Sequence, residues 1–348
     1  MMGIFYRMIG FLTFLLAAPV VQGQVDPVIS VLSEEFVFMD APFRQCHAST
    51  LAETVRGDIL VAWFGGSYEG AADVCIWSSV LHGDQWSVPL RIACGSDTAG
   101  NPLPCWNPVL FAPGDSTLIL FYKQGVSPRE WKGMYVVSTD GGRSWSEGIR
   151  MIGATGPSKN KPLITPSGCW LSPSSTESDR RWQVFMERSA DRGKTWAKIP
   201  VDTGNPAKVI QPCLLTLQDG SLLALCRSDR DAIVESRSLD DGKSWSPLRA
   251  TEIPNPNSGI DAITVEPGMH LLVHNPGHTG KEWWEGRNRL AISLSGDGIT
   301  WKQALLLEDH PDGEYSYPSV IRTSNGVIHI TYTYNRSRIK HVALRIRN

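Results

Sequence analysis

Six short segments of this chain carry residues that could bind or transform a charged ligand. They are FRQCHAS with Arg44 and His47, PCWNP with Trp106 and Asn107, PSKNKP with Lys159 and Lys161, VIQP with Gln211, NSGID with Asp261, and EYSYP with Tyr315 and Tyr317. Longer polar segments, among them GGSYEGAAD, SSTESDRR, RSDRD and NPGHTGKEWWEGRNR, add Glu69, Asp73, Arg227 and Arg287. Guanidinium forks grip carboxylates through two parallel hydrogen bonds, and aromatic faces stack on sugar C–H surfaces. With two or three carboxylates nearby, such a set suits a carbohydrate that itself bears a carboxylate. His47 titrates near neutrality and could move protons.

These residues are far apart in the chain, so a repeating scaffold must gather them. The stretch STDGGRSWS at 138–146 returns as SADRGKTWA at 189–197, SLDDGKSWS at 238–246 and SGDGITWK at 295–302. Around each lies a constant grammar of short β-rich runs, as in QPCLLTL, LLALCR, AIVESRS and SPLRATEI, separated by tight glycine turns. Four short antiparallel strands per unit, repeated radially, predict a six-bladed β-propeller, an all-β single domain over 24–348. Units begin near Cys46, Trp106, Lys161, Gln211, Ile260 and Tyr317, and the run PVISVLSEEFVF would supply the last unit's fourth strand and close the ring. The Asp-containing turn reads as a folding staple: its Asp accepts backbone N–H groups, its Gly permits positive φ, and its Trp packs on the blade. Antiparallel alternation puts these turns on one face. The polar loops and the lead-ins to the inner strands then converge on the other.

Composition narrows the function classes. Lys and Arg total 33 against 35 Asp and Glu, a net charge of −2, which gives no footing for nucleic acid or an anionic membrane surface. Residues 1–23 read as a cleavable export signal, so the mature chain is expected in the periplasm or outside the cell, with no membrane span after cleavage. Among seven cysteines, Cys94 and Cys105 could close a small loop, whereas Cys75, Cys213 and Cys226 lie in strand-like runs and read as buried hydrophobes. His274 and His278 lie four apart but not on a helix, and no metal or other cofactor is expected. Asn335 opens a glycosylation sequon, meaningful in a eukaryotic source. Trp283 and Trp284 would form an aromatic lip or cover a blade edge.

The Asp-turn repeats and EYSYPSV resemble the sialidase (neuraminidase) superfamily over essentially the whole mature chain. CHASTLAETVRGDILVAWFGGSYEGAADVCIW, CWNPVLF, GPSKNKPL, SSTES, PNPNSGID and YTYNRSRIKHV resemble more closely the sialidase-like BNR-repeat proteins of bacteria and plants. The resemblance implies a substrate carboxylate held by three arginines, a tyrosine nucleophile assisted by a glutamate, and a carboxylic acid that protonates the leaving group. It places the second arginine at Arg227 and the third at Arg287, with Arg289 close by. It puts the nucleophile at Tyr315 and the acid at Glu69 or Asp73. Arg44 resembles the first arginine; if Ala48 is aligned instead, Gln45 takes that place. Two positions depart from the pattern. Gln211 stands where the glutamate is expected and cannot take a proton, and His47 introduces an acid/base group. Asp261 could substitute as base if it reaches.

Three readings follow. In the first, an exo-acting glycosidase releases a terminal acidic sugar such as sialic acid from an oligosaccharide or glycoconjugate, with Tyr315 attacking the anomeric carbon. In the second, hydrolysis or elimination occurs beside a uronic acid, with His47 as acid/base and Lys161, Arg227 or Arg44 neutralising the carboxylate. In the third, the propeller binds acidic carbohydrate without turnover.

Overall fold

The structure, a computed structural model, describes residues 28–114, 116–282 and 284–347. The proposed export signal and Trp283 lie outside these residues. Six antiparallel sheets surround one axis, and the inner strand of each is Gln45–Glu53, Cys105–Phe111, Leu163–Ile164, Val209–Thr216, Asp261–Glu266 or Tyr315–Arg322 for blades one to six. Blade one adds two-residue strands, Gln85–Trp86 and Pro102–Leu103, to its four. Val28–Phe36 pairs with Arg338–Arg347 and completes blade six, so the predicted closure is present. A single 3-10 turn, Pro128–Glu130, is the sole helical element among the described residues, and none of their helices is long and apolar enough to cross a membrane.

Alternating side chains explain why the blades stack. Each central strand buries both faces against its neighbours, as Leu60, Val61, Ala62 and Trp63 do in blade one. One cluster joins Leu60 and Ile76 of blade one to Leu110 and Leu120 of blade two, and another joins Leu171 and Met186 of blade three to Leu222 and Cys226 of blade four.

The Asp turns have the geometry their sequence implied. Asp240 accepts hydrogen bonds from the Ser244 amide (2.8 Å) and hydroxyl (2.6 Å), Ser238 donates to it at 2.9 Å, and Trp245 donates to the Gly242 carbonyl at 3.3 Å. Asp140, Asp191 and Asp297 likewise accept the amides of Ser144, Thr195 and Thr300. Trp196 and Trp301 donate to the carbonyls of Gly193 and Gly298, whereas the Trp145 indole N–H has no hydrogen-bond partner among the described residues. Gly242 has φ +79°, and a Cβ there would lie 2.8 Å from Leu171 of blade three. Gly142 meets Leu60 of blade one, and Gly298 meets Leu217 and Leu223 of blade four, in the same way. Each of these three turns therefore clamps its own blade onto the preceding one.

The disulfide differs from the expected pairing. Cys75 and Cys94 sit opposite each other in adjacent antiparallel strands, their Cα atoms 4.4 Å apart, and are bonded. Cys105 is instead a buried free thiol in the core shared by blades one and two. Adjacency across strands, which loop length does not reveal, decided the partner.

Candidate active site at the propeller mouth

The mouth is built by one backbone device used four times. The inner strands of blades one, two, four and six slip register between His47 and Thr50, Trp106 and Val109, Ile210 and Cys213, and Ser316 and Ser319. In each bulge one residue takes positive φ: Ala48 (+54°), Asn107 (+40°), Gln211 (+54°) and Tyr317 (+53°). Such conformations are costly outside glycine and persist where the surroundings enforce them. Here the neighbouring blades do so. Thr333 Oγ1 accepts the Ala48 amide at 3.1 Å and Ser175 Oγ the Gln211 amide at 3.2 Å. The residue after Asn107, Gln211 or Tyr317 is proline, which has no N–H for the bulge to leave unpaired.

Tyr317 is the phenol these bulges present. Its oxygen accepts from Arg227 Nη1 at 2.7 Å and, more weakly, from Gln211 Nε2 at 3.4 Å. Its ring lies 4.2 Å from the His47 ring, centroid to centroid, and Gly259 packs on its other atoms, where a Cβ would come within 3.2 Å. Lys159 Nζ stands 5.9 Å from the ring centroid and is buried, donating to the carbonyls of Ile260 (3.0 Å) and Pro318 (2.6 Å). Burial brings this ammonium down to about 8.

Three guanidinium groups form one connected network that reaches the phenol through Arg227. Arg227 Nε donates to Asn257 Oδ1 at 2.7 Å, and Arg287 donates to the Asn257 carbonyl at 3.1 Å. Arg287 approaches Glu314 at 3.6 Å, Glu314 also pairs with Arg336 at 3.0 Å, and Arg336 reaches Glu69. Burial, then the neighbouring Arg227 charge, lowers Arg287 to about 10, which leaves it cationic at neutral pH. Burial works against Arg336, yet Glu69 and Glu314 raise it. Asn335 holds this corner in place, with its Oδ1 accepting the Glu314 amide at 2.8 Å.

His47 is almost fully buried, and neither ring nitrogen has a hydrogen-bond partner. Burial, followed by the charges of Arg336, Arg287, Arg227 and Lys159, holds the imidazole well below its ordinary value. A neutral imidazole ringed by cations is poised to respond to an anion, because a bound carboxylate would offset that repulsion.

Several residues singled out from the sequence lie elsewhere. Tyr315 is not at the mouth: it packs beside Tyr334 in the core between blades five and six, where burial and then its Tyr334 contact push the phenol up to about 12. The bulge at Tyr317 is the reason, since it interrupts the alternation that would have kept both tyrosines on one side. Arg44 is exposed and lines a separate cleft of about 600 Å³ on blade one with Arg91, Trp77 and Asp73. The third arginine of the network is Arg336. Asp261 is a structural anchor: buried, it pairs with Lys161 at 2.5 Å and accepts the Val320 amide at 2.9 Å, so both groups are occupied with each other. Asp73 is fastened by the Ser67 amide and hydroxyl, and the hydroxyl bond first of all lowers its carboxyl. Trp106 lines the blade-one side, with its indole N–H on the Gly125 carbonyl at 2.7 Å, and Asn107 donates to the Ser158 carbonyl at 2.9 Å. Arg289 faces Asp309 at 3.6 Å on blade five. His274 contacts Ser293 and His278 contacts Asp231, and among the described residues no cluster of three or more His, Cys, Asp or Glu could hold a metal.

Arg336 carried a readable signal. Its segment, YNRSR, spans the turn between the second and third strands of blade six, the position that supplies Arg287 in blade five, while Arg227 stands at the end of the second strand of blade four.

Comparison with known proteins agrees with this architecture. Residues 57–330 match the BNR repeat-like domain. The anhydrosialidase of Macrobdella decora is 23% identical over 244 residues, which cover 63% of this chain and 32% of that protein. Among solved structures, the Hadza microbial sialidase Hz136 superposes with a TM-score of 0.72 at 18% identity, covering 86% of this chain and 65% of its own. A protein of unknown function from Dyadobacter fermentans gives 0.74 at 15% identity over 92% and 99%, respectively. Trypanosoma rangeli sialidase gives 0.69 at 14% identity over 87% and 55%. The chain thus spans about a third of the curated relative and just under two thirds of the Hadza enzyme, and shares with the sialidases their propeller fold.

Proposed function

The chain belongs to the BNR repeat-like domain family, and on that premise we propose that it is an exo-acting glycoside hydrolase releasing a terminal sugar that bears a carboxylate, sialic acid or a related acidic sugar. The observation that carries this reading is one network that links Arg227, Arg287 and Arg336, from three successive blades, through Asn257 and Glu314, with Arg227 on the Tyr317 phenol. Guanidinium forks bind the substrate carboxylate and fix the sugar over the phenol. A neutral attacking group avoids the repulsion that a carboxylate nucleophile would meet from the substrate's own charge, the exception to the two-carboxylate pattern known for sialidases. The Tyr317 oxygen then bonds to the anomeric carbon, while Arg227 stabilises charge that develops on that oxygen. Gln211 orients the pair, accepting from Arg227 at 3.3 Å, and takes no proton. A carboxyl at the rim protonates the leaving oxygen.

The test is turnover of a fluorogenic sialoside and of glycans ending in a uronic acid. Release of the acidic sugar by the wild type, lost at least ~100-fold in Tyr317→Phe with folding intact, supports the reading. Near-normal rates in that variant overturn it. The unpartnered nitrogens of His47 favour a second reading, action beside a uronate with His47 as acid/base. In that case His47→Ala is the inactive variant and an unsaturated, absorbing product marks elimination.

A further inference from the structure

Several carboxyl groups around the mouth are already committed. Glu69 pairs with Arg336, Glu314 is shared by Arg287 and Arg336, and Asp73 is bound by Ser67 in the blade-one cleft. Each would have to give up these contacts to reach a leaving oxygen.

Glu177 is not so committed. It ends the Trp170–Glu177 strand of blade three, in the SSTES segment, on the loop between second and third strands that faces the mouth. Its cross-strand partner is Trp182, whose ring lies 6.0 Å from the Arg227 guanidinium carbon, and Arg227 in turn touches the Tyr317 oxygen. The side chain is half-buried, and among the described residues no hydrogen bond or ion pair occupies its carboxyl. Burial raises it above the ordinary carboxyl range; Arg227 opposes this, and the charge of Glu69 across the mouth adds to it. On its own turn, Asp179 pairs with Arg129 of the blade-two loop, while Arg180 and Arg181 are exposed.

We propose that Glu177 is the proton donor to the leaving glycosidic oxygen, in place of the blade-one carboxyls, in the glycosidase reaction on which this inference rests. The glycosidic C–O bond breaks with its electron pair on the leaving oxygen, which takes the proton of Glu177. The anomeric carbon bonds to the Tyr317 oxygen, whose proton passes to solvent. In the second half a water attacks that carbon and gives its proton to the Glu177 carboxylate. The phenolate is released and reprotonated from solvent, so the net reaction is hydrolysis.

The experiment compares Glu177→Gln with Glu69→Gln on two glycosides of the same acidic sugar, one with an aryl leaving group that needs no protonation and one a disaccharide. Glu177→Gln is expected to lower disaccharide turnover ~10²–10⁴-fold while largely sparing bond cleavage in the aryl glycoside, and to remove the high-pH limb of kcat/KM. Glu69→Gln should keep that limb. In parallel, infrared difference spectra of the free protein against Glu177→Gln should show a protonated carboxyl persisting above the ordinary glutamate value of ~4.3. Equal losses on both substrates, an unchanged pH profile, or an ordinary titration of Glu177 overturns the inference alone. A wild type that cleaves no acidic glycoside overturns the parent reading and this role with it.

Discussion

At the scale of single residues, partners decide which groups are available for chemistry. Arg227 is held by neutral groups, Tyr317, Gln211 and Asn257, whereas Glu314 engages both Arg287 and Arg336. Arg227 therefore meets an incoming carboxylate with its charge least offset, and Arg227→Lys, which loses the fork, should raise KM about tenfold or more in a fluorogenic assay. Tyr315→Phe removes a hydroxyl from the core and should leave kcat near wild type, in contrast to Tyr317→Phe. Gln211→Glu would set a proton acceptor beside the phenol and should give kcat/KM an acidic limb that the wild type lacks. Arg227, Arg287, Gln211 and His47 could all be placed at the mouth from strand order alone. Tyr317 appeared there as a binding group, and the step from Tyr315 to Tyr317 was hidden because a bulge changes side-chain direction without changing composition. Arg336 was legible by its place after the second strand of blade six, although its loop is short.

At the scale of elements, the Asp turn is both a local knot and a clamp between blades. Gly242→Ala forces a positive φ on alanine and drives its Cβ into Leu171 of blade three, so it should cost about 2 kcal/mol in denaturant unfolding without altering KM. Hydrogen bonds, from Ser244 to Asp240 and from Thr195 to Asp191 first of all, lower both carboxyls to about 2. Their folded values lie below the unfolded ~3.9. Their contribution is therefore present above that value and is lost as pH falls towards 2. Asp240→Asn should flatten the acid limb of a stability curve measured by thermal melting. This layer was the most legible part of the chain, because turn chemistry demands particular residues at particular offsets. Pairing between strands, as in Cys75 and Cys94, depends on register, which residue types alone leave open.

At the scale of the whole molecule, the first described strand is a clasp. Val28–Phe36 covers the outer edge of blade six, and its removal would leave Arg338–Arg347 with unpaired backbone groups. A chain lacking residues 28–36 should melt lower and associate with concentration in size-exclusion runs. Beneath the clasp, His329 Nδ1 and His341 Nε2 are 2.9 Å apart, and His341 approaches Glu35 of the clasp at 3.3 Å. Burial, and for His329 the His341 charge next, lowers both imidazoles to about 4. The unfolded chain takes up these protons from ~6.5 downward. Stability is then full above that value and declines until pH reaches about 4. Thermal melts between pH 7.5 and 4.5 should fall less steeply in a His329→Gln, His341→Gln double variant.

The four kinked lead-ins at Ala48, Asn107, Gln211 and Tyr317 make the wheel a tool holder. Their bends are gripped from behind by other blades, so the protruding bit at each station can be swapped while the hub keeps turning true. New chemistry on this frame is reached by changing bits, and an inherited frame says little by itself about which bit is mounted.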